Sequence, residues 1–263
     1  MLTRRAISDH LAELGLRPGD RLLVHSSYRS LGPVEGGPEA VLDAMLDAVG
    51  PAGLLAMPAF NYQAPEPCFD PALTPGRTGI LAECLRGRPG AVRSLHPTHS
   101  VVMMGREAAS FTAGHHQSGA ATLGSPLDRL AQAGGRILLL GVTHTANTTI
   151  HVAEQHAGAR KFPPWDEPPV ASVKMPDGTL FPVTLDCSSS CSFAYNAIDY
   201  FMRRRGRIRD FLLGSALGTL MSGLDVIAAT REALLEKPDI LLCTRPECRR
   251  CCRSRAFLAQ GRA

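Results

Sequence analysis

With 263 residues, 44% of them hydrophobic and 20% charged, the chain has globular composition and can bury a sizeable core, as one large domain or one domain with a smaller appendage. The net charge of +4 is too mild to point to a nucleic-acid partner. No uninterrupted apolar stretch of about eighteen residues suggests a membrane span, and the amino terminus reads as an amphipathic helix rather than a signal peptide. The expectation is therefore a cytoplasmic protein with no nucleic-acid or membrane partner, its oligomeric state left open.

In chain order, helical spacing covers Ile7 to Leu16, and "RLLVHSS" (21–27) is a short buried strand ending in polar residues. The glycine-rich "SLGPVEGGPE" (30–39) follows, then an amphipathic helix from Pro38 to Val49 stopped by Gly50, Pro51 and Gly53, then a second apolar strand, "LLAMPAF" (54–60). Strand, glycine loop, helix and strand make a βαβ unit, which places ligand sites at the carboxyl ends of its strands. Residues 61–79 hold too much proline and glycine for regular structure and read as a long active-site loop. A helix, a turn with a strand, and a further helix lead to "GSPLDRLAQAGG", where Ser125 is placed to cap a helix with Pro126 in its first turn. Arg136 to Val142 is another buried strand, and a helix runs from Ile150 to Ala157. Beyond residue 160 come the proline-rich "FPPWDEPPV", a β-hairpin turning at Asp177 and Gly178, two later helices and a cysteine-rich end. The fold class expected is α/β: a central mixed sheet flanked by helices over 1–160, and a smaller carboxyl-terminal portion over 161–263 with the hairpin, helices and cysteine cluster.

Three features carry chemistry. "GVTHTANTTIHVAEQHA" (141–157) sits where a strand hands over to a helix, and on that helix His151 and Glu154 share a face within hydrogen-bonding reach. A carboxylate beside an imidazole fixes its tautomer and raises its basicity, as a general base requires, although spacing alone is equally met by a capped helix with solvated side chains. His144 lies in the preceding loop, where it can meet substrate, and His156 reads as an ordinary helix residue. "VHSSYRSLGPVEGG" lacks both nucleotide-binding fingerprints, yet His25, Ser26 and Ser27 with Gly36 and Gly37 before a helix can offer amides and hydroxyls to an anion such as a pyrophosphate. "SLHPTHS" (94–100) adds His96 and His99 beside Ser94 and Ser100.

Taken in order, "LLVHSSYRSLGPVEGG", "GPAGLLAMPAF", "SLHPTHSVVMMG", "GSPLDRLAQAGGRILLLGV" and "NTTIHVAEQHA" resemble the aminoglycoside 3-N-acetyltransferase family, over nearly the whole chain. The resemblance implies acetyl-CoA as donor, an aminoglycoside amine as acceptor and antibiotic resistance as the outcome, with His151 and Glu154 catalytic. The donor's pantetheine arm is then expected along Ser30, Leu31, Gly32, Val34, Gly36 and Gly37, with Arg29 near its phosphates. Ser94, His96 and Ser100 are counted with His25, Ser26 and Ser27 on the cofactor side. The oxyanion of the tetrahedral intermediate needs fixed donors, for which Ser26, Ser27, Thr148 and Thr149 are candidates. A cationic acceptor needs carboxylates, so Glu66, Asp70, Asp166 and Glu167 are candidate contacts, with Asn147 and Thr148; Tyr62 and Trp165 can stack on sugar faces.

The cysteines fall into two groups, Cys187 with Cys191 and the run Cys243, Cys248, Cys251, Cys252. Paired thiols from two distant segments are what a tetrahedral zinc site requires, and the sequence is similar here to an apramycin-accepting branch of the family. The expected ligands are Cys187, Cys191, Cys248 and Cys251, Cys243 substituting if one of the first pair points elsewhere; free thiols are the other reading. Acylation of a different amine and a zinc-stabilised binding module remain open as alternative functions.

Overall fold

The computed structural model describes residues 1–64, 66–159, 167–185 and 191–260. Its centre is a seven-stranded mixed sheet built from β1 (Arg21–Ser26), β2 (Leu54–Pro58), β3 (Val92–Arg93), β4 (Val101–Gly105), β5 (Arg136–Leu140), β8 (Ile208–Leu213) and β9 (Ala216–Ser222). Across the sheet the strands lie in the order β3-β4-β2-β1-β5-β9-β8. β1 runs parallel to β2 and β5, in register Leu23↔Ala56 and Leu23↔Ile137, and the outer pairs are antiparallel. The three parallel strands are the near-continuous apolar runs of the sequence because helices cover both of their faces.

Alternation along each strand splits the core in two. Leu22, Val24, Leu55, Met57, Leu138 and Leu140 face one way, against α1 (Arg4–Glu13), α2 (Gly37–Val49) and α3 (Ile80–Gly87). Leu23, Ala56, Ile137 and Leu139 face the other, against α5 (Pro126–Gln132), α6 (Thr149–His156), α7 (Ala197–Arg203) and α8 (Gly223–Glu236). The short α4 (Ala108–Thr112) joins the second layer through Ala108. Ser125 caps α5 by accepting from the Asp128 amide at 3.4 Å, with Pro126 in the first turn, as its sequence predicts.

The hairpin is β6 (Val170–Lys174) with β7 (Leu180–Thr184), and Asp177 closes its turn by accepting from the Thr179 amide at 3.0 Å. It also fixes the proline-rich loop: Phe69 bridges Val173, and together with Val183 they form a small buried cluster. Arg93 pins the loop from the other side, donating to the carbonyls of Pro71, Thr74 and Ala59 and to Ser100 Oγ. Residues 61–79 are thus irregular, as expected, but tied down.

The expectation of two later helices misses β8 and β9, which lie between α7 and α8. β9 pairs with β5, so the central sheet draws strands from both sides of residue 160. The "RRRGRIR" run enters this hairpin with its charge matched locally: Arg203 pairs with Asp199 and Asp210, Arg204 and Arg205 with Glu232, and Arg207 with Asp225. α9 (Arg249–Ala259) carries the last cysteines. No helix among the described residues is long and apolar enough to cross a membrane.

Candidate functional site

A cavity of about 300 Å³ opens at the carboxyl ends of β1, β2 and β5. β1 contributes His25 and Ser26, the end of β2 contributes Pro58 and Phe60, and the turn after β5 contributes Val142, Thr145, Ala146, Asn147 and Thr148. Gly141 makes that last handover possible. Its φ is +67°, and a Cβ there would fall 1.7 Å from Ser30 Oγ, so the loop after β1 and the turn after β5 touch at a point only glycine fits. The location is the one that open parallel sheets use for ligands.

His151 lines the cavity one turn into α6. Its Nδ1 lies 3.4 Å from Glu154 Oε2, and the side chains are 17% and 4% exposed respectively, so the imidazole reaches solvent while its carboxylate partner is buried behind it. A third group joins them. Tyr195, fully buried, sets its hydroxyl 3.0 Å from Glu154 Oε2 and 2.5 Å from His151 Nδ1. Sequence reasoning missed this residue: no local pattern marks a tyrosine in "SFAYNAID" as a partner for a helix forty residues earlier.

Around this group the ionisable lining is kept uncharged. Burial, then the nearby His144, push the pKa of His25 down to about 3. Burial, then the charges of His151 and Arg250, bring His99 to about 4. Both rings are therefore neutral near pH 7 and can only donate or accept hydrogen bonds. His99, noted in the sequence but not chosen, is held by Thr98 Oγ1 at 2.8 Å and packs 4.7 Å from the Phe60 ring. Arg77, Thr78 and Ser192 complete the polar lining and were also missed, the first two because they sit in a loop with no periodicity.

Several expected positions lie elsewhere. Ser94, His96 and Ser100, expected on the cofactor side, are each 1% exposed and bonded inward. Ser94 Oγ shares a hydrogen bond with His115 Nδ1 and accepts from the Val101 amide, Ser100 Oγ donates to the Ala59 carbonyl, and His96 Nδ1 accepts from the His99 amide. They build the turn that presents His99. At the end of β1, His25 and Ser26 reach the cavity, whereas Leu31, in the loop that follows, is turned into the core. Ser27, Arg29, Ser30, Gly32, Val34, Gly36 and Gly37 form the adjoining turn, partly buried to exposed. Of the four oxyanion candidates, Ser27 has its amide bonded to the Leu140 carbonyl and Thr149 has its amide bonded to Asn147 Oδ1, which leaves Ser26 and Thr148 on the lining.

On the acceptor side Tyr62, Asn147 and Thr148 line the cavity. Asp70 does not: its carboxylate pairs with Lys174 at 3.0 Å and accepts from the Ala72 and Leu73 amides, and the Lys174 bond holds its pKa below the usual range. Glu66 and Glu167 are exposed loop residues off the lining, and Trp165 and Asp166 fall outside the described residues. His144 is 3% exposed, with Nδ1 beside Asn147 at 3.3 Å, so it supports the turn instead of meeting substrate. His156 Nε2 is hydrogen-bonded to Asp128 Oδ1 at 2.7 Å.

Next to Ser192, four thiols converge. The sulfurs of Cys191, Cys243, Cys248 and Cys251 all lie within 4.8 Å of one another. Cys187 lies outside the described residues, and Cys243 occupies the fourth corner. A tetrahedral zinc with bonds of about 2.3 Å spaces its sulfurs about 3.8 Å apart, so the donor set and its dimensions fit that ion. Burial raises the pKa of Cys191 and Cys251, whereas the Cys251 amide and the surrounding thiols lower that of Cys248 to about 7. Four sulfurs this close cannot all ionise without a cation among them.

Known proteins share this fold. The family described as aminoglycoside 3-N-acetyltransferase matches residues 23–234. An aminoglycoside N(3)-acetyltransferase IV from Salmonella sp is 32% identical over 234 residues, covering 88% of this chain and 87% of that one. A type III enzyme from Acinetobacter baumannii is 38% identical over 173 residues, which span 59% of this chain and 60% of that enzyme. Among solved structures, a histidine-to-alanine mutant of aminoglycoside acetyltransferase AAC(3)-IVa in complex with a gentamicin superposes with a TM-score of 0.86 at 29% identity, over 97% of both chains. AAC-IIIb bound to CoASH gives 0.77 at 27% identity, over 89% of this chain and 97% of that one.

Proposed function

Because the chain belongs to the aminoglycoside 3-N-acetyltransferase family and is an acetyltransferase, we propose that it moves the acetyl group of acetyl-CoA to the 3-amino group of an aminoglycoside, within a ternary complex. The observation that carries this reading is the His151–Glu154 pair at the mouth of the cavity, with the imidazole accessible and the carboxylate buried. An aminoglycoside amine is mostly protonated near neutral pH and attacks only after losing a proton. That first proton goes to solvent; as the neutral amine attacks, His151 takes a second proton from its nitrogen, and Glu154 stabilises the imidazolium that results. The C–N bond forms, the C–S bond breaks, and the proton on His151 is returned to the departing thiolate, so the ring ends neutral.

The Ser26 and Thr148 hydroxyls are the lining groups suited to donate to the oxyanion of the tetrahedral intermediate. The donor's arm lies along the turn from Ser27 to Gly37, with Arg29 exposed for its phosphates. Tyr62 and Asn147 meet the acceptor, and the exposed Glu66 and Glu167, with Asp166, bring carboxylates to its cationic rings. Asp70 drops out, since Lys174 already neutralises it.

Thiol release from acetyl-CoA, followed across apramycin, gentamicin and an unrelated polyamine, tests the proposal. Release with at least one aminoglycoside is expected, and release with the polyamine alone would overturn the acceptor class. His151→Ala is expected to cost about a hundred- to ten-thousandfold in kcat with CoA binding intact; near-wild-type turnover would sink the base assignment.

We also propose that Cys191, Cys243, Cys248 and Cys251 hold a structural zinc that ties α9 to the segment beside the cavity. Reduced thiols fit a cytoplasmic setting. Elemental analysis of protein purified without added metal is expected to give one zinc per chain.

A further inference from the structure

Three rings gather on one wall of the cavity. Phe60 and Tyr62 follow β2, His99 precedes β4, and all three line the cavity. The His99 ring lies 4.7 Å from that of Phe60 and 6.4 Å from that of Tyr62, and the Phe60 and Tyr62 rings are 6.1 Å apart, edge to face. Asn61, 6% exposed, ties the two loops together: its amide donates to the Thr98 carbonyl and its Nδ2 to the Pro97 carbonyl, each at 2.9 Å. The His99 amide donates to His96 Nδ1 at 3.1 Å, so the loop that carries His99 is fixed from both sides. Tyr62 holds φ at +62°, a conformation that bulky residues avoid and that this clamp sustains.

The make-up of the wall indicates what it meets. Aromatic rings offer apolar area that suits the C–H face of a saturated sugar. His99 adds polar atoms to that surface. Thr98 Oγ1 engages its Nδ1 at 2.8 Å, and Nε2 has no protein partner among the described residues. A hydroxyl both donates and accepts, so it satisfies Nε2 whichever nitrogen carries the ring's hydrogen. Burial, then the charges of His151 and Arg250, keep this ring neutral, so it does not repel a cationic ligand. The position in the sheet separates the two substrates. The turn proposed for the donor meets the turn after β5, Ser30 against Gly141, whereas the three rings stand at the end of β2 and the start of β4, on the other side of β1.

We propose that His99 is a specificity-determining residue for the acceptor: with Phe60 and Tyr62 it packs on the C–H face of the amino-sugar ring that bears the reacting amine, and its Nε2 bonds a hydroxyl of that acceptor. His99 takes no proton in the reaction, and His151 keeps that role. The assignment rests on the reading of the cavity as an aminoglycoside acetyl-transfer site.

His99→Phe keeps a flat ring and removes both nitrogens, His99→Ala removes the ring, and His99→Arg sets a cation where the acceptor arrives. Steady-state rates are measured with whichever of gentamicin and apramycin is turned over, and fold is checked by thermal melting. His99→Phe is expected to raise KM for the acceptor about two- to tenfold, as loss of one neutral hydrogen bond does, with kcat within about twofold. His99→Ala is expected to raise it further. His99→Arg is expected to raise it most, by more than about tenfold, with the excess shrinking as salt is added. In all three variants KM for acetyl-CoA stays within about twofold. A merely structural histidine would lower the melting temperature and move both KM values together, which would overturn the proposal. An acceptor KM unchanged in His99→Phe and His99→Ala, or a rise confined to acetyl-CoA, would overturn it too. If the variants do not fold, the wild-type protein decides: in a crystal of its complex with the same aminoglycoside, a sugar hydroxyl is expected within about 3.2 Å of His99 Nε2, and a ring with no contact to the sugar would overturn the assignment. No thiol release with either aminoglycoside would instead remove the reading beneath it.

Discussion

His25, His96 and His115 are buried and His99 is partly buried, all as neutral rings, His96 lying 4.8 Å from the His115 ring and 6.0 Å from that of His99, whereas Cys191, Cys243, Cys248 and Cys251 are drawn together into one group whose sulfurs lie within 4.8 Å. Both sets sit near the cavity, and both contain titratable side chains shielded from water. An imidazole can be buried cheaply because its neutral form is accessible at ordinary pH and its two nitrogens can be satisfied by hydroxyls and amides. Ser94 serves His115 in this way, and the His99 amide serves His96. A thiol is a poor hydrogen-bonding partner, so nothing in ordinary packing favours bringing four of them into contact. The difference teaches which burial points to a ligand: neutral rings can pack on one another and on hydroxyls and amides, whereas four converged thiolates repel one another unless a cation lies among them.

The largest expected effect tests the thiol side. If a zinc ion holds the four sulfurs, Cys251→Ser or prolonged chelation removes a contribution that in small zinc domains reaches about 10–16 kcal/mol. A drop in Tm of more than about 10 °C is expected, followed by calorimetry or circular dichroism. Loss of the cluster also frees the segment from Cys191 to Tyr195, so kcat is expected to fall with it. A melting curve unchanged by both treatments would break the comparison, because it would make the thiols as self-sufficient as the histidines.

The next effect tests the histidine side through pH. The folded-state pKa values are lowered by burial to about 3 for His25, about 2 for His96, about 4 for His99 and about 3 for His115, against about 6.5 in the unfolded chain. Below pH 6.5 the unfolded state therefore binds more protons than the folded one, and stability falls as pH drops toward 4, by up to about 1.4 kcal/mol per pH unit for each ring. Metal release in acid would steepen the same limb, so the informative quantity is a difference between two proteins. Relative to wild type, His115→Asn is expected to flatten the dependence of the urea midpoint on pH between 4.5 and 6.5 by about one proton. An unchanged slope would mean that His115 titrates normally and is not held neutral.

Much of the fold was legible because local chemistry decided it. Leu22 to Val24 of β1 and the run "LLAMP" are apolar throughout because both faces of the parallel strands are covered, and Ser125 with Pro126 announces α5 before any tertiary contact is known. His151 and Glu154 were legible for the same reason, as neighbours on one helical face. What stayed hidden depends on long-range pairing. β8 and β9 follow an arginine-rich run whose charges are neutralised by Asp210, Asp225 and Glu232, partners set by the fold. Tyr195 reaches His151 only because a separate segment is anchored beside the cavity. Ser94, His96 and Ser100 looked like site residues because polar clusters at strand ends often are; here their polar atoms complete a turn and leave His99 to face the cavity.

The smallest expected effect separates two adjacent cysteines that composition cannot tell apart. In α9 successive side chains are rotated by about 100°, so Cys251 and Cys252 cannot both point inward. Cys251 is fully buried among the converging sulfurs, whereas Cys252 is exposed, its sulfur 3.6 Å from the Pro246 carbonyl and outside the group of four. Cys252→Ser is expected to change stability by less than about 0.5 kcal/mol and to leave metal content untouched. Zinc lost from Cys252→Ser but retained in Cys251→Ser would shift the helix register by one residue. That result would also move Arg255, which donates at 2.8 Å to the Leu242 and Cys243 carbonyls only in the present register. A near-silent Cys252 beside an indispensable Cys251 would show that burial of a thiol here follows from what its sulfur meets, and not from the density of cysteines along the chain.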